Sequence, residues 1–180
     1  MSDSDTALVA RVIANDDRGA FELLVRRHQS AVRNFLRRLA RNDAERANDL
    51  AQETFIKMYQ GLHSYRGTAR FTTWLFRIAY HTFLNEQRGQ QRNDEFSDDE
   101  HGHVADTTVA AAISLDVERA LERLPVRQRA VFDLHYKKGM THSEIAEALE
   151  LPLGTIKSDL ARGHEKLKAW LDPRQGDGNE

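Results

Sequence analysis

Apolar residues recur at intervals of three and four along most of the 180-residue chain, which predicts an all-helical protein. The strongest of these series predicts a helix that ends at about Arg41. Its apolar face consists of Phe21, Leu24, Val25, His28, Val32, Leu36 and Leu39. Because His28 lies within this face, we interpret it as a core or boundary histidine and not as a ligand. A shorter helix is predicted over residues 4–14.

Two more helices are predicted in the first half of the chain. Residues 43–62 have an interior face made of Ala47, Leu50, Ala51, Phe55 and Met58. The helix from Phe71 to about Gln91 carries two apolar stripes, namely Phe71, Trp74, Leu75 and Ile78, and then Phe76, Tyr80 and Phe83. One stripe can pack inside a domain and leave the other for a partner, or a crowded core can take both. The sequence leaves these alternatives open.

Residues 141–171 predict two helices joined by a short break. Thr141 precedes Glu144 by three residues, which is the spacing of a capping box. The first apolar face is Ile145, Ala146 and Leu149. Pro and Gly break the helix at residues 151–154, and Thr155 is predicted to cap the second helix. The buried stripe of that helix is Ile156, Leu160, Leu167 and Leu171.

This arrangement is typical of a helix-turn-helix, whose second helix enters the major groove of DNA. The remaining face of that helix carries Lys157, Arg162, Lys166 and Lys168. The alternative is an ordinary helical hairpin with a solvated basic face. Two further helices are predicted before it, one from about Leu115 and one over residues 126–138 that ends at Gly139.

Charge divides the chain into two domains and a connector. Residues 1–92 carry fifteen Lys and Arg against ten acids, residues 93–115 carry six acids and no Lys or Arg, and residues 116–180 are nearly balanced. We expect a first domain over residues 1–92, a flexible acidic linker over 93–115, a second domain over 116–172 and a tail over 173–180.

The same composition limits the chemistry. Two histidines, His101 and His103, are too few for a metal site, and no cysteine is present, so we expect no metal and no cofactor. No glycine-rich phosphate loop or nucleophile–base pair indicates an enzyme. The absence of cysteine and of any membrane-length apolar run fits the cytoplasm without membrane insertion.

Several residues of the second domain resemble the C-terminal domain of bacterial sigma factors. They are Leu124, Pro125, Arg129, Val131, Leu134, Glu144, Ile145, Ala146 and residues 154–158. The resemblance is to the extracytoplasmic-function class of the sigma-70 family, whose second helix reads the promoter minus-thirty-five element. It implies DNA contacts by Thr155, Lys157, Ser158, Arg162 and Lys166. This chain departs from the family at Asp159, Gly163 and His164, and Asp159 is expected to repel phosphate.

The first domain carries two more motifs of that family. The Asp-x-x-Gln-Glu-x-Phe motif resembles the segment that docks on a coiled coil of the polymerase β′ subunit, which implies contacts by Asp49, Gln52, Glu53 and Ile56. The helix from Phe71 resembles the segment that melts and reads the minus-ten element. With the preceding loop, it implies contacts by Tyr65, Arg66, Arg70, Trp74, Arg77, His81, Asn85 and Arg88. His81 stands where the family usually has Asn.

The resemblance therefore implies a sigma factor that binds core RNA polymerase through its β′ and β subunits and opens promoter DNA. It also implies an anti-sigma partner, and it implies neither catalysis nor a small-molecule substrate. A helix-turn-helix alone also fits a conventional transcriptional regulator, and a helical adaptor that binds only protein is a third interpretation. The Asp49 motif argues against the regulator, and the excess of Arg in the first domain argues against the adaptor.

Overall fold

A computed structural model describes residues 3–93 and 109–171, and within these ranges the chain forms helices and no β-strand. The first domain comprises α1 (Asp5–Asn15), α2 (Arg18–Leu39), α3 (Ala44–Gly61), a 3₁₀ turn (Leu62–Ser64) and α4 (Phe71–Asn93). The second comprises α5 (Val109–Glu122), α6 (Val126–Phe132), a π-helical segment (Asp133–Lys137), α7 (His142–Leu149) and α8 (Leu153–Leu171). The predicted all-helical fold is confirmed. The histidine pair, the acidic residues of the linker and the tail lie outside the described residues.

Short polar side chains fix the starts of the first three helices. Oxygens of Ser4, Asp17 and Asp43 accept the backbone N–H groups of Ala7, Ala20 and Arg46 at 3.2, 3.0 and 3.0 Å. Such caps satisfy donors that the first turn of a helix leaves unpaired. Helix α2 ends at Leu39, two residues before the predicted Arg41, because Arg41 and Asn42 adopt left-handed backbone with φ of 51° and 66°.

The predicted core faces of α2 and α3 are confirmed, with additions. His28 is only 8% exposed, and its Nε2 lies 2.9 Å from the Asp5 carboxylate. Phe35, which the predicted stripe omitted, is fully buried against the edge of the Phe76 ring, with 5.2 Å between centroids. Thr54 is also buried, and its hydroxyl is satisfied there because it donates to the backbone oxygen of Leu50, one turn earlier.

Both apolar stripes of α4 are used inside the molecule. Leu75 and Phe83 are buried within the first domain, whereas Trp74 and Ile78 are half-buried. Phe76 is also buried, and the second domain places the Lys138 ammonium 5.7 Å from its ring centroid. The crowded-core alternative is therefore correct, and the second domain supplies part of that core.

The capping box of α7 is confirmed in both directions. The Thr141 hydroxyl accepts the backbone N–H of Glu144 at 3.2 Å, and the Glu144 carboxylate accepts the backbone N–H of Thr141 at 2.8 Å. The hydrogen bond from the Thr141 backbone N–H to the carboxylate lowers the pKa of Glu144. Helix α5 begins at Val109, six residues before the predicted Leu115.

Two predictions about α8 are wrong. The helix begins at Leu153, so Thr155 lies inside its first turn and does not cap it. Leu171 is 40% exposed, so it does not continue the buried stripe. The stripe instead includes Gly163, where a Cβ atom would lie 2.3 Å from the Phe132 ring. Glycine thus permits the close approach of α6 and α8.

The two domains pack against each other, α4 against α7 and α2 against α6. Arg129 of α6 is 3% exposed and donates to the backbone oxygens of Arg38 at 2.9 Å and Leu39 at 3.4 Å, at the end of α2. Burial lowers its pKa to about 10, so it stays charged at neutral pH. The Asp133 carboxylate accepts from Arg38 at 2.7 Å, although burial raises the pKa of Asp133.

Candidate functional site

The first candidate surface, the α3 face, consists of Asp49, Gln52, Glu53 and Ile56. Spacings of three and four residues bring these four side chains onto one side of the helix, opposite its core residues. All four are exposed, and Ile56 has 57% of its surface in solvent. Glu53 forms an ion pair with Lys57 at 2.6 Å. An exposed apolar side chain ringed by polar groups is a suitable centre for a protein interface.

The second candidate surface, the α4 surface, joins the loop after the 3₁₀ turn to one side of α4. It contains Tyr65, Arg66, Arg70, Trp74, Arg77, His81, Asn85 and Arg88. From Arg70 onward these residues follow one another at three or four positions, so they line one strip of the helix. Arg66, Arg70, Asn85 and Arg88 are exposed, and the other four are half-buried. The strip offers aromatic rings beside cations, the combination that binds unpaired nucleotides.

The loop is held against the helix by its aromatic residue. Tyr65 donates its hydroxyl proton to the backbone oxygen of Ala69 at 2.7 Å. Its ring lies 5.3 Å from that of Trp74 and 5.8 Å from that of Phe71, measured between centroids. Gly67 turns the loop with a φ of 70°, a conformation that glycine adopts without strain. Part of the Tyr65 ring remains open to solvent.

Carboxylates of the second domain lie over part of the α4 surface. Arg70 is 3.2 Å from Glu144, and Arg77 is 3.6 Å from Glu147 and 3.7 Å from Glu150. His81 Nε2 lies 2.9 Å from the Glu150 carboxylate. Within the described residues, Arg66 and Arg88 form no ion pair.

The third candidate surface, the α8 face, holds the cations predicted to meet the minus-thirty-five element. Lys157, Arg162 and Lys166 are exposed, and none of them forms an ion pair within residues 3–93 and 109–171. Thr155 and Ser158 are half-buried, and the Ser158 hydroxyl donates to the Thr155 backbone oxygen at 3.0 Å. These three cations are therefore available to an anionic partner.

Two of the three departures from the family pattern, Asp159 and Gly163, are buried, and the expectation that Asp159 repels phosphate is wrong. Asp159 has no exposed surface and accepts from Arg127 Nε at 2.7 Å. His164 Nε2 lies 2.6 Å from the Tyr136 hydroxyl, and its ring packs edge-on against Phe132. Asp159 and Gly163 therefore fix how α8 sits on α6, whereas His164 is exposed beside the π-helical segment.

Sequence reasoning missed the polar groups that join these elements. Asp159 follows Ile156 by three residues, so its place on the buried stripe was readable, and a buried carboxylate requires a partner. Its partner Arg127 is 32 positions away, and Arg129 meets oxygens about 90 positions away. No local spacing indicates these two pairings.

Comparison with known proteins follows the division into two domains. The sequence profile of sigma-70 region 2 matches residues 24–93, and that of sigma-70 region 4 matches residues 114–167. A protein of Haemophilus influenzae named ECF RNA polymerase sigma-E factor is 34% identical, over 94% of this chain and 96% of its own length. This chain belongs to the extracytoplasmic-function group of the sigma-70 family. It is therefore a transcription initiation factor and not an enzyme.

Two further relatives agree with this assignment. The RNA polymerase sigma-H factor of Pseudomonas aeruginosa is 33% identical to this sigma factor, over 95% of each chain. CnrH, whose structure was solved in complex with the cytosolic domain of CnrY, is 26% identical in sequence to this sigma factor. The two structures match with a TM-score of 0.71, and the match covers 94% of this chain and 98% of CnrH. Among the described helices, none is long and apolar enough to cross a membrane.

Proposed function

We propose that this sigma factor divides its work among three separate surfaces. The α3 face binds a coiled coil of the β′ subunit of core RNA polymerase, the α4 surface binds the minus-ten element and the α8 face binds the minus-thirty-five element. The observation that carries the proposal is the exposure of three different chemistries on one small molecule. The α3 face is acidic and apolar, the α4 surface is aromatic and cationic, and the α8 face is cationic.

For the minus-ten element, the support is the chemistry of the loop and of α4. An unstacked base costs a few kcal/mol, and stacking on an aromatic ring returns about 1–3 kcal/mol per base. Tyr65 and Trp74 form a half-exposed aromatic pair, and Arg66 extends into solvent beside it. Arg70, Arg77 and Arg88 suit phosphates along the same strip, and His81 and Asn85 suit base edges.

For the minus-thirty-five element, the support is the exposed cations of α8, which form no ion pair with any residue that the structure describes. The helix-turn-helix places the start of such a helix in the major groove. Lys157 lies in this first part of α8, and Arg162 and Lys166 lie one and two turns farther along the same helix. We assign phosphate contacts to these three cations and contacts near the bases to Thr155 and Ser158.

An anti-sigma factor is the second proposed protein partner. CnrH was solved with the cytosolic domain of another protein, CnrY, and it shares its fold with this sigma factor. An open cavity of about 740 Å³ lies between α2 and helices α5, α6 and α8 and offers a place for such a partner. Because core polymerase is its proposed target, we place its action in the cytoplasm.

Assembly with polymerase tests the α3 face. Asp49→Ala and Gln52→Ala are each expected to weaken binding to purified core polymerase about 30-fold, the effect of losing a hot spot of about 2 kcal/mol. The matched control is Glu22→Ala, which removes an exposed carboxylate from α2, and it is expected to bind normally. Fluorescence anisotropy of the labelled sigma factor measures the affinity. Unchanged binding by both α3 variants, with normal circular dichroism, contradicts the assignment.

A further inference from the structure

The α4 surface meets an acidic surface of the same chain. Helix α7 and its C-terminal residue carry the α7 glutamates, which are Glu144, Glu147 and Glu150. They follow one another at three-residue intervals, and each lies within ion-pair distance of a cationic residue of the α4 surface. The side of α7 that faces the first domain is therefore a row of carboxylates.

The two ion pairs of Arg77 are long compared with the pair between Arg127 and Asp159 inside the second domain. The Arg77 guanidinium is 3.6 and 3.7 Å from its two carboxylates, and its Nε has no hydrogen-bond partner in the described part of the chain. His81 Nε2 is near Glu150 without the geometry of a hydrogen bond. By contrast, Arg127 and Asp159 inside the second domain share hydrogen bonds of 2.7 and 3.2 Å.

The positions that the α7 glutamates occupy matter for DNA. Arg70, Arg77 and His81 belong to the eight residues proposed to hold the minus-ten element. A carboxylate and a phosphate present the same charge and the same acceptor oxygens to a guanidinium. A strand of DNA and the α7 glutamates therefore cannot both bind these three side chains.

We propose that the α7 glutamates compete with promoter phosphates for the α4 surface, so that the two domains must separate before the minus-ten element binds. The inference rests on the proposed function of the α4 surface. Partly exposed ion pairs suit a contact that DNA or polymerase displaces, because water and salt screen them readily.

The α8 face is not covered in the same way. Lys157, Arg162 and Lys166 remain exposed and unpaired within the described residues while α7 lies on α4. The closed chain therefore offers its upstream DNA surface and withholds its downstream one. This asymmetry predicts that binding of single-stranded DNA, and not of duplex DNA at α8, depends on domain separation.

The test uses the full chain without polymerase. The variant Glu147→Lys with Glu150→Lys makes α7 repel Arg77 and spares Glu144, which caps α7. The control variant, Glu22→Lys with Asp116→Lys, makes the same change in net charge at exposed positions with pairs only on their own helices. Domain separation is read by energy transfer between dyes on Ser30→Cys and Ala169→Cys. These positions are exposed, and the chain has no other cysteine.

The α7 variant is expected to lose energy transfer and to bind a random single-stranded 12-mer about fivefold more tightly than the unmodified chain. The control variant is expected to keep its energy transfer and to gain much less affinity. Equal gains by the two variants mean that net charge alone attracts the DNA, and this result overturns the proposal. Unchanged energy transfer in the α7 variant also overturns it.

A third measurement separates this inference from the function on which it rests. Arg77→Ala is assembled with core polymerase and assayed for opening of duplex promoter DNA. Suppose that promoter opening requires Arg77, but the α7 variant with separated domains binds single-stranded DNA no more tightly than the unmodified chain. The proposed competition is then wrong, and the assignment of the α4 surface to the minus-ten element stands. If opening does not need Arg77 or the other α4 cations, the α4 assignment fails, and the inference fails with it.

Discussion

At the scale of single residues, Gly163 shows how a neighbour overrides helix propensity. Alanine is favoured over glycine inside a helix by about 1 kcal/mol. However, a Cβ atom at this position would lie 2.3 and 2.8 Å from two carbons of the Phe132 ring. That ring is 5% exposed and packs against Tyr136 and His164, so it cannot move aside freely. We expect Gly163→Ala to lower the free energy of unfolding by roughly 1–3 kcal/mol, as overpacking does.

Gly89 provides the matched control in α4. It is exposed, and a Cβ atom there would meet nothing within 4 Å. Gly89→Ala is therefore expected to raise the free energy of unfolding by about 0.5–1 kcal/mol. Combining Gly163→Ala with Phe132→Leu should recover part of the loss, because the smaller side chain frees the space. Urea denaturation of the four proteins measures these changes, and a stabilising Gly163→Ala would contradict the packing argument.

At the scale of elements, α8 has one face fixed by packing and another left for DNA. Asp159 and Gly163 settle its contact with α6, and Lys157 and Arg162 remain exposed. If these two cations contact phosphates, Lys157→Ala and Arg162→Ala should each lower promoter affinity of the holoenzyme. Each should also reduce the slope of log affinity against log salt by about one counterion.

Lys168 is the control for these variants, because it is also an exposed cation of α8 but lies outside the predicted contacts. Lys168→Ala is expected to leave the salt slope unchanged. Filter binding across a salt series gives all three slopes. Equal changes in the three variants would show that α8 acts only through its overall charge.

The same elements show what the sequence could predict. The helices follow from apolar spacing and capping residues, which act within four positions, so the capping box at Thr141 and the core position of His28 were readable. The start of α8 and the exposure of Leu171 were not, because neighbouring helices decide them. The residues of the α3 face were named from the family resemblance, and helical spacing was enough to place them together on one side of α3. The contact between α7 and α4 could not be predicted, because its ion pairs join residues about 70 positions apart.

At the scale of the whole molecule, the structure joins two small domains through polar groups that are buried between them. Arg38 reaches Asp133, and Arg129 reaches the last turn of α2. The carbonyl groups at the end of a helix carry partial negative charge and have no partner within the helix. A buried guanidinium that satisfies them couples the stability of α2 to that of the second domain.

Substitution of Arg129 tests this coupling between the two domains. Its guanidinium donates to backbone oxygens of Arg38 and Leu39 in one domain and of Leu124 in the other, at 2.9, 3.4 and 3.2 Å. Hydrogen bonds from a charged group each contribute about 1.5–3 kcal/mol, part of which the cost of burying the charge offsets. Arg129→Met keeps the apolar bulk and removes the donors, so we expect calorimetry to show two separate thermal transitions for this variant and one for the unmodified chain. Arg123→Met makes the same change at an exposed position outside this contact and should retain a single transition. A single, unshifted transition in Arg129→Met would mean that the remaining contacts between the domains hold them together without Arg129.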